Sequence, residues 1–233
     1  MVLSSFPDGF RALVVGARGA IGEAFVAQLQ GVSHCGGVTA IHRQSEPPLD
    51  LEDEGSVARA AQALRARGPF HLVLVATGLL HTPQFLPEKR LGQLHMAQMV
   101  QTFRVNTFGP ALLLAHLAPL LARERAVFGV LSAKVGSIGD NRLGGWYSYR
   151  ASKAALNMVL KTAAIELQRQ QPNTVLVALH PGTVDSALSA PFRGGEIGRP
   201  AALAAQQMLA VVDSLVPADS GSFVAYDGQR LPW

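Results

Sequence analysis

The 233-residue sequence predicts an α/β chain, a doubly wound parallel sheet with helices on both faces. Two observations carry that prediction. Apolar strand-like runs alternate with helical patterns along the whole chain, an order that implies right-handed βαβ units. Several of those runs, ALVVG, LVLVA and VLVAL, are apolar throughout instead of alternating, as strands covered on both faces are. Strands are read at residues 11–16, 38–41, 71–76, 126–132, 174–179 and 222–226, and helices at 20–30, 55–67, 93–122, 146–170 and 199–214. No internal repeat, linker or low-complexity stretch interrupts them, so residues 1–233 read as one domain.

Composition narrows the function classes. Apolar residues make up 48% and charged residues 15%, the balance of a compact globular protein. The formal charge of +4 comes from sixteen scattered Arg and four Lys, with no basic run or Arg–aromatic alternation. A nucleic-acid partner is therefore not expected. Cys35 is the single cysteine, which excludes an internal disulfide and suits a reducing compartment. No basic segment followed by a long apolar stretch opens the chain, and the run PALLLAHLAPLLA is too short to span a bilayer. A cytoplasmic protein without a membrane partner is the expectation. The seven His lie singly, without metal-ligand spacing, so no metal is expected, and His180 reads as packing or a local hydrogen bond in preference to a catalytic residue.

The first strand runs into Gly16-Ala17-Arg18-Gly19-Ala20-Ile21-Gly22, directly before a helix. Glycines there permit a tight turn and let backbone N–H groups approach a pyrophosphate at the positive helix end. The second strand ends Ala40-Ile41-His42-Arg43, with no carboxylate to meet a ribose 2′-hydroxyl. Arg43, with Arg18 in the turn, instead favours a 2′-phosphate, so the cofactor expected is NADP(H); two exposed surface arginines are the plainer alternative.

Tyr149 and Lys153 stand four residues apart in YSYRASKAAL, one turn apart on one helix face. An ammonium beside a phenol stabilises the phenolate and is expected to lower its pKa toward useful acid–base chemistry. With three Tyr and four Lys in the chain, chance yields roughly 0.05 such pairs.

These motifs resemble the short-chain dehydrogenase/reductase superfamily over essentially the whole chain, and within it the C-factor/sniffer-like carbonyl reductase branch. The resemblance is carried further by Gly136-Ser137-Ile138, by Tyr149-Arg150-Ala151-Ser152-Lys153 and by His180-Pro181-Gly182-Thr183-Val184. It implies a Rossmann-type parallel sheet of about seven strands and a site in which Gly16, Arg18, Gly19, Ile21 and Gly22 face phosphate. It further implies that Arg43, Asp50 and Leu51 surround the adenosine, and that Ala76, Thr77 and Gly78 line the cofactor. Pro181, Gly182, Thr183 and Val184 are to meet the nicotinamide, and Asn106 is to support Lys153 through a water and bend the fourth helix. Tyr149 is implied as general acid/base toward a small-molecule carbonyl or alcohol, and a homodimer or homotetramer is expected from the apolar helices near 112–121 and 154–167. A short substrate loop falls near 186–198, and its shortness suggests an open cleft.

Two departures stand out. The glycine spacing is G-x-x-G-x-x-G where the family's usual pattern is G-x-x-x-G-x-G. The catalytic serine's place, three residues before Gly136, holds Ala133. Ser132 is one residue early and by strand parity points to the other side. Ser137, in a loop expected to border the cleft, is the candidate substitute, with a structural role for both serines left open. A nucleotide-binding regulatory or signalling protein with little turnover is the rival reading.

Overall fold

The computed structural model describes residues 3–233. Six parallel strands form one sheet: β1 (Phe10–Val15), β2 (Cys35–Ile41), β3 (Leu72–Val75), β4 (Ala126–Leu131), β5 (Thr174–His180) and β6 (Ser222–Ala225), in the order β2-β1-β3-β4-β5-β6. The expected doubly wound parallel sheet is present, with six strands beside the anticipated seven or so. Past β2 the chain turns back, and Leu49 N donates to the His42 carbonyl at 3.0 Å, so Leu49–Leu51 runs on outside the sheet. The order reverses between β1 and β3, which opens a crevice at the strands' carboxyl ends.

The strands other than edge strand β2 are buried on both faces because their side chains alternate between two separate apolar cores. Leu13 and Val15 of β1, Phe128 of β4 and Leu176 of β5 point to one core. There they meet Val57 and Leu64 of α2 (Glu54–Leu64), Leu113 and Leu117 of α4 (Gly109–Leu117), and Leu156 and Leu160 of α5 (Tyr147–Gln170). Ala12, Val14, Val127 and Val177 point to the other, against Phe25 and Leu29 of α1 (Ala20–Gln30) and Met208 and Leu209 of α7 (Ala201–Ser214).

The segment expected as one helix over 93–122 is broken into parts. α3 (Met96–Phe103) runs into a π-helical turn over Arg104–Phe108, and α4 (Gly109–Leu117) follows. The wide turn holds Asn106, the residue expected to bend this segment, and such turns recur at functional sites. α5 (Tyr147–Gln170) carries Tyr149 and Lys153, and the short α6 (Gly194–Ile197) lies in the loop before α7. Among the described residues no helix is long and apolar enough to cross a membrane.

One contact sets how close α5 comes to the sheet. A Cβ built on Gly136, just after β4, lies 2.7 Å from Lys153 Cβ and 3.0 Å from its carbonyl carbon. Only glycine admits that approach. Gly136→Ala must push α5 outward, and urea unfolding is expected to show a loss of about 1–3 kcal/mol, as for overpacking elsewhere.

Candidate active site

Two adjoining cavities occupy the carboxyl-end crevice, one of about 920 Å³ and one of about 400 Å³, and Gly19, Ala76, Thr77 and Gly78 line both. The shared residues come from the β1–α1 turn and the end of β3, the two sides of the switch point.

The turn is built by its glycines despite their altered spacing. Gly16 has φ +81°, and a Cβ there would meet Thr77 Cγ2 at 2.8 Å. Gly22 lies beneath the turn, where a Cβ would strike the Gly16 carbonyl at 2.1 Å, so it serves packing of α1 and lines neither cavity. Gly19 has only ordinary contacts and leaves open space before the first turn of α1, where Ala20 and Ile21 also line the larger cavity. Thr77 Oγ1 is buried with no hydrogen-bond partner among the described residues, at the seam of the two cavities. A buried orphan hydroxyl and an open helix end are what a polar, phosphate-bearing occupant satisfies. The residues present therefore fit a dinucleotide.

The smaller cavity is lined by Gly16, Arg18, Arg43, Asp50 and Leu51, together with His42 and Gln44. Arg18 Nη1 donates to Gln44 Oε1, which bridges the glycine turn to the loop after β2. Asp50 Oδ1 accepts from Glu52 N at 3.0 Å.

The larger cavity holds the Tyr149–Lys153 pair and Pro181, Gly182, Thr183 and Val184 from the loop after β5. Gly182 has φ +75° and backs onto the Tyr226 ring, over which Arg199 stacks at 3.4 Å. Lys153 Nζ donates to the Leu131 carbonyl at 2.8 Å and lies 5.9 Å from the Tyr149 ring centroid. Asn106 is fully buried behind this pair. Its Oδ1 accepts from Leu79 N at 2.7 Å, and its Nδ2 donates to Leu79 O at 2.8 Å and Ser152 Oγ at 3.1 Å. A Cβ built on Gly78 would sit 3.8 Å from Asn106 Oδ1 and 3.9 Å from Lys153 Nζ, so the three converge on one floor.

The electrostatics differ from the expectation. Burial pushes the Tyr149 phenol up from 10.0 to about 12 and the Lys153 ammonium down from 10.5 to about 8. Lys153 is itself desolvated and donates one hydrogen to the Leu131 carbonyl, so the loss of water outweighs its help to a phenolate.

Ser137 is a correction to the expectation that it borders the cleft. Its Oγ donates to the Trp233 carbonyl at 3.2 Å and accepts from Asp140 N at 3.1 Å, because the loop after Gly136 folds back onto the C-terminal tail. Ser132 points to the α5 side, as parity predicts, with its hydroxyl on Asn157 Oδ1 at 2.6 Å. Ala133 lines the cavity.

The cleft is bridged where an open one was expected. Phe192 from the loop near 186–198 meets Trp146 at a 4.9 Å centroid distance, Trp146 meets Tyr149 edge-on at 6.2 Å, and His81 Nε2 contacts the Ala187 carbonyl at 3.2 Å. Gly144, Gly145 and Trp146 all have positive φ, of 63°, 64° and 53°, which swings Trp146 into this place at the head of α5. The helix start is capped from afar: buried Glu88 accepts from Ser148 N at 3.1 Å and from Ser148 Oγ. Sequence reasoning missed Glu88 and Phe192, since nothing local marks an acid sixty residues upstream of the helix it caps.

A glycine turn at a sheet switch point, joined to a buried Tyr–Lys pair, defines an oxidoreductase of the dinucleotide-dependent α/β class. A family model described as enoyl-(acyl carrier protein) reductase matches residues 28–226. The 1-hydroxy-2-glutathionyl-2-methyl-3-butene dehydrogenase of Rhodococcus sp. (strain AD45) is 33% identical over 188 residues, covering 81% of this chain and 80% of the relative. The chain belongs to the short-chain dehydrogenase/reductase family. The C-signal protein of Myxococcus xanthus is 37% identical over 145 residues, 61% of this chain and 83% of that protein. Among solved structures, the carbonyl reductase Sniffer of D. melanogaster superposes with a TM-score of 0.83 at 21% identity, covering 97% of this chain and 100% of that one. An NADPH-bound carbonyl reductase from chicken fatty liver gives 0.82 at 25% identity, covering 96% and 94%.

The buried pair makes stability depend on pH in a definite direction. Between about 8 and 10.5 the folded chain holds Lys153 neutral while the unfolded chain keeps it protonated. The unfolded state then binds more protons, so stability gains about 1.4 kcal/mol per pH unit from this group as pH rises through that window. Tyr149 acts oppositely between 10.0 and about 12, where only the unfolded chain gives up its proton. Urea unfolding of the wild type and Lys153→Met at pH about 8 and about 9.5 is expected to shift in the wild type's favour by roughly 2 kcal/mol. A difference that does not change with pH would show that Lys153 stays hydrated.

Proposed function

We propose that this protein is an NADP(H)-dependent carbonyl reductase, working also as an alcohol dehydrogenase in the reverse direction. The observation that carries this reading is the cavity that holds Tyr149 beside the floor formed by Gly78, Asn106 and Lys153 and that continues into the Arg18–Arg43 cavity. When bound, the cofactor supplies the hydride to the substrate's carbonyl carbon. The residues do the rest. Tyr149 delivers its proton to the carbonyl oxygen as negative charge develops there, which completes the alcohol. A phenol held up at about 12 is protonated throughout the physiological range and so is ready to donate. Lys153, at about 8, retains its charge near neutral pH and steadies the tyrosinate left behind. Asn106, locked by Leu79 and Ser152, holds the wide turn of the α3–α4 segment against this pair and supports proton supply through a water. Arg18 and Arg43 hold the 2′-phosphate.

The substrate is a small carbonyl compound, taken up between Trp146, Phe192 and the apolar wall of Leu80, Val135, Leu143 and Leu188. The chain works as a homodimer or homotetramer in the cytoplasm. Exposed Met158 and Ile165 on α5 support the assembly, and the mass in light scattering tests it. The second reading, a nucleotide-binding regulatory protein with weak turnover, is favoured by Ala133 in the serine's place.

NADPH oxidation across aldehydes, ketones and quinones tests the activity. Turnover of at least one class is expected, with Tyr149→Phe lowering kcat by roughly 10²–10⁴-fold, the usual contribution of a positioned acid. Tight NADPH binding with no turnover of any carbonyl would instead establish the second reading. For the cofactor, Arg43→Ala is expected to weaken NADPH about 10-fold or more and leave NADH unchanged, as loss of one charged hydrogen bond to phosphate does. Equal losses for both cofactors would remove the 2′-phosphate assignment.

A further inference from the structure

Ala133 leaves the cleft without the hydroxyl that its family's pattern places there, and the two nearest serines are committed elsewhere. Ser132 bonds Asn157 Oδ1 at 2.6 Å and Ser137 bonds the Trp233 carbonyl at 3.2 Å. Lys134 Nζ, the next polar group along, is paired with Asp140 at 3.5 Å.

His180 adjoins this gap. Leu131 of β4 pairs with Leu179 of β5, and Ser132 N donates to the Leu179 carbonyl at 2.7 Å. The following residue, His180, is thus about one strand spacing, roughly 4.8 Å, from the Ser132–Ala133 backbone. His180 lines the same cavity as Ala133, Tyr149 and Lys153. Lys134 N donates to His180 Nδ1 at 3.3 Å. A backbone N–H can only donate, so Nδ1 is the bare acceptor, and a neutral ring must carry its proton on Nε2. Nε2 has no hydrogen-bond partner among the described residues, and it is not among the buried atoms sealed from solvent. The local hydrogen bond expected of this histidine in preference to a catalytic role is present, and it leaves the other nitrogen accessible with a hydrogen to give.

We propose that His180 is a catalytic residue of this cleft, a neutral imidazole whose Nε2–H hydrogen-bonds the oxygen of the substrate carbonyl in place of the absent serine hydroxyl. The proposal rests on the carbonyl reductase reading above. Neutrality has a cause: burial first, then the Lys134 charge, brings His180 down to about 4, with Arg199 adding to the effect and Asp227 opposing it. A neutral imidazole binds the oxygen and its growing charge while keeping its own proton, so Tyr149 remains the group that protonates the alkoxide.

The test compares His180→Ala, Ala133→Ser and the double variant, reading kcat, NADPH affinity and melting temperature. His180→Ala is expected to lower kcat by roughly 10²–10³-fold, the effect of deleting one oxyanion donor, with NADPH affinity kept within about twofold. Adding Ala133→Ser to that variant returns a donor to the gap and is expected to restore kcat about tenfold or more. A histidine that only braces the Lys134 turn gives a loss that serine at 133 does not repair, and that result overturns the proposal. An unchanged kcat in His180→Ala overturns it too.

A second measurement needs no folded alanine variant and no turnover. Nitrogen-15 NMR of the wild-type histidines, with His180 assigned by its absence in His180→Gln, is expected to show the Nε2–H tautomer at neutral pH. An Nδ1–H tautomer or an imidazolium overturns the assignment. Absence of turnover with every carbonyl sinks the carbonyl reductase reading and this proposal together, whereas turnover with the wrong tautomer sinks this one alone.

Discussion

The buried amine of Lys153, hydrogen-bonded to the Leu131 carbonyl, ties helix α5 to the carboxyl end of β4, and the site is arranged around that tie. An ammonium in such a place loses its water, so every neighbour has to be close and polar or absent. Gly136 is absent in that sense, since it offers no side chain to hold α5 away. Asn106 and Gly78 complete the surround from the α3–α4 segment and the end of β3. Tyr149, one turn earlier on α5, is then positioned by the same constraint, and its burial follows from that of Lys153.

The two halves of the crevice serve different ends. The Arg18–Arg43 half brings two guanidiniums and the Asp50 carboxylate together on loops, and it suits recognition of charge. The Tyr149 half is walled by apolar and aromatic side chains, which lowers the local dielectric and strengthens each hydrogen bond made inside it. The orphan Thr77 hydroxyl marks the seam where a single extended occupant passes from one half to the other.

The sheet was legible in the sequence because central parallel strands have to be apolar on both faces, and ALVVG, LVLVA and VLVAL leave no other reading. The cofactor turn and the Tyr149–Lys153 pair were legible because their spacing is local. What escaped is set by distant contacts. Ser137 was assigned to the cleft from its neighbours in sequence, yet its hydroxyl answers to Trp233, ninety-six residues away. Glu88 caps α5 across sixty residues, and Phe192 reaches Trp146 only once the loop is folded. The direction of the Tyr149 shift was misjudged because residue type and spacing report charge but not burial.

The π-helical turn over Arg104–Phe108 also explains why 93–122 read as one uninterrupted helix. One residue more than an ordinary turn contains shifts the helical phase by about 100°. Buried Gln98 and Thr102 before the turn, and Leu113 and Leu117 after it, therefore follow two separate stripes. Shortening the turn by a single residue would restore an ordinary helical turn and leave α3 and α4 in nearly the same relative phase. What the extra residue supplies is therefore the wide turn that carries buried Asn106, and not the facing of the two helices toward their partners.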